Sequence, residues 1–114
     1  MMSAGLSASQ ADAIGGTVQT VTLAGSTAAD ATKIHRSIVL ISAGTGGAAL
    51  PSSNAGDRFY IKNESGNTCT LYPSSTAGTV TINTTTSLSV ATAKSVVVFF
   101  SSPTACHSIP TVAS

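Results

Sequence analysis

Apolar and polar residues alternate in several short runs along the chain, and a period of two is typical of β-strands that bury one face. Two other runs, 37–42 and 94–101, are apolar on both faces, which indicates central strands covered on both sides. A last short strand is predicted over 104–109. No window shows the 3.6-residue apolar stripe of an amphipathic helix. The alternating runs are 17–23, 57–62, 67–72, 79–82 and 87–90.

The clearest predicted element is a β-hairpin over 57–72. Its two strands flank Asn63-Glu64-Ser65-Gly66, and a loop of Glu64-Ser65-Gly66 would be a three-residue hairpin with Gly66 left-handed. That register places all the inward apolar residues on one face, because a slip by one residue would mix the faces. The inward pairs are then Phe59 with Leu71 and Ile61 with Cys69.

These strands and the frequent turn residues predict an all-β fold. We expect a single small β-sandwich or barrel, jelly-roll-like, with about seven or eight short strands over 17–114. The preceding segment, 1–16, is rich in Ala and Ser and has only Leu6 and Ile14 to anchor it. We interpret it as an N-terminal arm or a weak helix, of the kind that becomes ordered against a neighbouring subunit.

The composition excludes several classes of protein. Ser, Thr and Ala make up nearly half of the 114 residues, charged residues are 8% and the net charge is +1. Five scattered Lys and Arg residues are too few for a phosphate-binding stripe, so no nucleic-acid partner is predicted. No apolar run approaches the length of about 20 residues that a membrane helix needs. No export signal is found, so synthesis in a cytoplasm is expected.

Candidate catalytic and metal-binding residues are sparse. His35 and His107 are isolated, no Gly-x-Ser-x-Gly motif is present, and Gly44-Thr45-Gly46-Gly47 lacks the Lys of a phosphate-binding loop. Cys69 and Cys106 have no paired spacing for zinc. A disulfide between them stays possible, but we expect two buried free thiols. The sequence therefore predicts no enzyme, no metal and no cofactor.

The run 96–100 contains more apolar residues than one core face needs. Alternate residues from Val96 can fill the core, while Val97 and Phe99 on the other face require a cover, either a crossing loop or another subunit. Tyr60 and Tyr72 fall on the outer face of the predicted hairpin and add aromatic surface that interfaces use. The candidate interface with another subunit or a larger assembly is therefore Val97, Phe99, Tyr60 and Tyr72, with Leu6 and Ile14 of the arm.

The order of several segments resembles a β-module found in small virion proteins of tailed bacteriophages. It is similar to head decoration (cement) proteins and to modules of head and tail fibres. The likeness covers about 55–109, although 105–109 stands where such modules often place a Trp. The segments that carry it are 56–63, Gly66, 71–73, 78–82, 87–91 and 94–100.

This resemblance implies a structural virion protein that binds the outside of a phage capsid and stabilises the shell. Its expected partners are the major capsid protein and itself, often as a homotrimer, and its expected location is the capsid surface after synthesis in the host cytoplasm. One alternative is a head-fibre or tail-fibre module. A second is a carbohydrate-binding β-sandwich that uses Tyr60 and Tyr72 as stacking platforms.

Overall fold

A computed structural model describes residues 18–110, which form ten β-strands in two sheets and no helix. The predicted all-β class is confirmed, with more strands than expected. The predicted arm, with Leu6 and Ile14, lies outside the described residues. The strands are β1 Gln19–Leu23, β2 Thr32–Lys33, β3 Ile38–Gly44, β4 Gly46–Ala49, β5 Arg58–Asn63, β6 Cys69–Tyr72, β7 Thr81–Ile82, β8 Leu88–Val90, β9 Ser95–Ser102 and β10 Ala105–Pro110.

The first six strands alternate between the two sheets and form three successive coils. β1, β3 and β5 pair in parallel in a six-stranded sheet, and β2, β4 and β6 pair in parallel in a four-stranded sheet. β8 and β9 then run antiparallel to β6 and β5, so the chain reverses direction on that side. β10 and β7 extend the larger sheet beyond β9. The arrangement is a solenoid-like stack and is not clearly the predicted sandwich or barrel.

The predicted hairpin over 57–72 is wrong, because β5 and β6 belong to different sheets. β5 pairs with β3 and β9, whereas β6 pairs with β4 and β8. Alternation fixes which side chains face the core, but it does not fix which strand lies alongside. The left-handed conformation predicted for Gly66 is present, with φ of +84°. The four residues predicted to face inward are all buried: Phe59, Ile61, Cys69 and Leu71.

The inner faces of the two sheets form one hydrophobic core. Val98 and Phe100 of β9 are 0% and 1% exposed, and the Phe100 ring meets that of Phe59 edge-on at 6.1 Å. The core is therefore filled mainly by alternate residues of the longer strands. Other members of this core cluster are Val21, Leu23, Ile34, Val39, Ile41, Ala48, Leu50, Ile61, Cys69, Leu71, Ile82, Val90, Val96 and Cys106.

The Gly-rich segment between β3 and β4 is a tight turn that lies in close contact with the preceding coil. Gly44 and Gly46 have φ of +90° and +117°, which residues with a Cβ rarely adopt. A Cβ on Gly44 would collide with the carbonyl oxygen of Leu23, and one on Gly46 would lie 2.5 Å from that of Gly25. Close stacking of the coils therefore explains the glycines, which had no phosphate-binding signature.

Asn63, at the end of β5, is a fully buried polar residue with all of its side-chain groups bonded. Its Nδ2 donates to the carbonyls of Asn67 and Val90, each at 2.8 Å. Its Oδ1 accepts from the backbone N–H of Ser65 at 3.0 Å and from the Ser65 hydroxyl at 2.8 Å. This one side chain joins β5, the following loop and the end of β8.

Cys69 and Cys106 are both buried free thiols, as predicted. Removal from water disfavours the thiolate, so burial raises the pKa of each thiol to about 11 from its ordinary value of 9.0. Cys69 lies on the core face together with Leu71. Both cysteines act as small core residues.

Candidate interaction surface

The structure places Tyr60 and Val97 side by side on the outer face of the six-stranded sheet. Tyr60 pairs with Ile38 on one side and with Val97 on the other, and Val97 pairs in turn with Ile109. Val18, just before β1, borders the same shallow groove as Ile38 and Tyr60. We call this line of five side chains the apolar row: Val18, Ile38, Tyr60, Val97 and Ile109.

The apolar row is open to solvent within the described part of the chain. Val18 is 45% exposed, Tyr60 47% and Ile109 51%. A groove of about 450 Å³ runs along the row and is lined further by Leu40. The sequence left open whether a crossing loop or another subunit covers this face. No loop within 18–110 covers Val18, Tyr60 and Ile109, which stay about half exposed, whereas Ile38 and Val97 between them are partly buried.

Phe99 lies beside the apolar row on the same face. It is half-buried and pairs with Arg58 on β5 and His107 on β10, with its ring centroid 5.4 Å from that of His107. The His107 Nε2 is in turn 2.9 Å from the Ser101 hydroxyl. Phe99 therefore extends the candidate surface on the side of Arg58.

Tyr72 is not part of this surface, because β6 belongs to the four-stranded sheet. Its ring lies over Gly47, where a Cβ would be only 2.6 Å from a ring carbon. Its hydroxyl donates to the carbonyl of Ser26 at 3.0 Å, in the loop of the first coil. Tyr72 thus connects neighbouring coils through its contacts with Gly47 and Ser26, and it does not form a common stacking surface for a ligand with Tyr60.

Sequence reasoning missed Val18, Ile38 and Ile109 as members of the surface. The signal for Ile38 was present, because 37–42 is apolar on both faces in the same way as 96–100. Val18 falls on the face opposite Val21 in the alternating run 17–23, and it is 45% exposed whereas Val21 is 1% exposed. The row itself depends on the register between strands, which alternation within a strand does not reveal.

Positive charge borders the apolar row on both sides. The outward residues of β5 are Arg58, Tyr60 and Lys62 in succession, so the tyrosine of the row has a cation on either side. Arg58 is exposed, whereas Lys62 is half-buried and donates to the carbonyl of Ala93 at 3.2 Å. The surface is thus an apolar strip between cationic flanks.

The acids Asp30 and Asp57 hold turns. Asp30 accepts hydrogen bonds from the hydroxyl and the backbone N–H of Thr27, which lower the pKa of its carboxyl group. Asp57 accepts from the backbone N–H of Asn54 at 2.8 Å. Among residues 18–110, no three His, Cys, Asp or Glu side chains cluster in a way that could hold a metal ion.

No helix within this described range has the length and apolar character required to cross a membrane. Comparison of the whole chain with protein-family models, with curated proteins and with solved structures found no match.

Proposed function

We propose that this protein binds the outside of a bacteriophage capsid and stabilises the shell, as a decoration or cement protein. The observation that carries the proposal is the apolar row, which no segment within residues 18–110 covers although the opposite face of the same strands already fills the core. Exposed contiguous apolar surface of this kind marks interaction sites. The resemblance of 55–109 to virion β-modules supplies the kind of partner, the major capsid protein.

The mechanism of such a protein is physical. A rigid subunit that contacts two capsomers resists their separation by the area that would be exposed again on rupture. Specific interfaces bury about 1,600 Å² in total, and the five side chains of the row would form the apolar centre of one such contact. In this proposal the subunits act as a homotrimer on the capsid surface, so that each of the three copies binds the shell at a separate position. The buried area indicates that binding stabilises the shell, but it does not determine the affinity of the protein for the capsid.

The test uses capsid shells that lack this protein, to which purified protein is added. Wild-type protein should sediment with the shells and raise the temperature at which they rupture. Tyr60→Ser should reduce occupancy because it removes the centre of the row, and circular dichroism should show that the variant is folded. Tyr72→Phe is the matched control, since it alters a tyrosine of the other sheet. Full occupancy with folded Tyr60→Ser would refute the assignment of this face to the capsid contact.

A head-fibre or tail-fibre module is the second candidate, favoured by the stacked coils. Within the described residues, β1 and β2 are edge strands of their sheets, and edge strands can pair with further strands. A fibre could use these edges to continue the stack. The copy number in purified virions separates the two candidates: copies at every capsomer position support decoration, whereas copies at a single vertex support a fibre or tail part.

A further inference from the structure

Charge on the outer face of the six-stranded sheet has one sign next to the apolar row. On one side, Arg58 pairs with Phe99, which pairs with His107. On the other side, Lys62 pairs with Leu40 and with Ser95. Within residues 18–110 neither of these two neighbouring rows contains an acidic residue; the exposed Glu64 follows two positions after Lys62, just after the end of β5. In a chain with only 8% charged residues, a cation on each flank of an apolar strip is a strong local feature.

The Arg58 flank continues into a pocket of about 260 Å³ at the start of β3 and β5. His35 and Arg36 line this pocket together with Arg58, and Asp57 is the acidic residue of the lining. The Asp57 carboxylate is bonded to the backbone of Asn54. The Arg58 flank is therefore broader than a single side chain and is positive overall.

We propose that the apolar row docks an acidic protein surface with an apolar centre, and not a second copy of this chain. The proposal rests on the proposed function and deepens it by giving the chemistry of the capsid surface that is bound. Complementary charge around an apolar centre steers association and fixes its orientation. The partner should therefore place carboxylates against Arg58 and Lys62, with apolar side chains against Tyr60 and Val97.

A second copy fits this face poorly for a geometric reason. A two-fold axis in the plane between two facing sheets keeps the strand direction when it runs along the strands and reverses it when it runs across them. In the first case Arg58 of one copy faces Arg58 of the other copy, and in the second case Arg58 of one copy faces Lys62 of the other. Both arrangements set cation against cation, which disfavours association.

Nucleic acid is also a poor occupant. Its affinity comes from many phosphate contacts, whereas the two cations on β5 are separated by an apolar row without hydrogen-bond donors other than the Tyr60 hydroxyl. The apolar centre matches side chains of a protein better than a phosphate backbone.

The test uses two small probes with the same apolar tail and opposite charge, 4-phenylbutyrate and 4-phenylbutylamine. Each is titrated into labelled full-length protein while backbone amide shifts are followed by NMR at low salt. Phenylbutyrate should shift the amides of β3, β5 and β9 around Tyr60 and Val97 and should bind more tightly than the amine. Equal or tighter binding of the amine at these strands would overturn the proposal. So would shifts of the same amides on concentrating the protein alone, because they would show a second copy.

Two variants of equal net charge sharpen the test. Arg58→Gln should weaken phenylbutyrate about two- to fivefold, the range expected for one exposed charge, without weakening the amine. Ser89→Glu lowers the net charge by the same amount on the other sheet and should leave both affinities unchanged. Equal losses in the two variants would show a general charge effect and refute the role of the flank.

This experiment is independent of capsids, so the two proposals can fail separately. If the protein does not join shells but phenylbutyrate binds the row as described, the proposed function fails and the chemistry of the surface stands. If the protein joins shells but the amine is preferred, the inferred chemistry fails alone.

Discussion

Replacing Asn63 with alanine should be among the most destabilising single changes in the described part of the chain. The substitution removes four hydrogen bonds, two donated at 2.8 Å to the carbonyls of Asn67 and Val90 and two accepted from Ser65. A buried hydrogen bond contributes about 1 kcal/mol net, and groups left unbonded cost more. The Asn67 carbonyl keeps a bond from the Ser65 hydroxyl, so we expect a loss of about 3 kcal/mol rather than the full sum.

Urea unfolding followed by far-ultraviolet circular dichroism measures this loss, since the chain has no Trp. With a slope of about 1.5 kcal/mol per molar, a loss of about 3 kcal/mol lowers the midpoint by about 2 M. Asn67→Ala is the matched control, because it removes a single exposed bond to the carbonyl of Gly44 and should cost about 1 kcal/mol or less. If Asn63→Ala costs no more than this control, Asn63 does not join β5, the following loop and β8 as described.

Three further predictions concern glycine, cysteine and tyrosine positions. Gly44→Ala should lower the melting temperature more than Gly66→Ala, because both glycines have positive φ but only at Gly44 would the new Cβ collide with the preceding coil. Equal decreases in melting temperature would contradict close stacking of the coils. The free energy of unfolding should fall from about pH 9 to about pH 11, because the thiols with raised pKa stay protonated in the folded state while those of the unfolded chain ionise. A Cys69→Ala/Cys106→Ala double variant should lose that part of the slope, and an unchanged slope would assign it to other groups. Tyr72→Phe should cost about 1 kcal/mol in urea unfolding through loss of the bond to Ser26, and no loss would show that the hydroxyl does not brace the coils.

The sequence predicted the faces of the strands well and their neighbours poorly. Val96, Val98, Cys69 and Leu71 were placed in the core from alternation alone, and all four are buried. The hairpin failed because its two strands would also satisfy alternation as successive parts of one coil. Local pattern carries no information on which of these long-range pairings forms.

The candidate surface was only partly predictable for the same reason. Val97 was identified because 96–100 is apolar at every position, and Tyr60 because it lies outward on an alternating strand. Tyr72 satisfied the same rule, yet its strand joins the other sheet and its hydroxyl is bonded to Ser26. Ile38 and Ile109 join the surface through register across four strands, which no single segment displays.

The coiled part of the chain makes the interaction surface modular. The three coils each contribute one side chain to the apolar row, Val18, Ile38 and Tyr60 in turn. Neighbouring strands lie about 4.8 Å apart, so insertion of one more coil in register would lengthen the strip by about that distance and add one contact residue. The reversed strands β8 and β9 would be unaffected, because within residues 18–110 they pair only with the last coil and with β10. The reach of the binding face could therefore change by duplication of a coil, without redesign of the core.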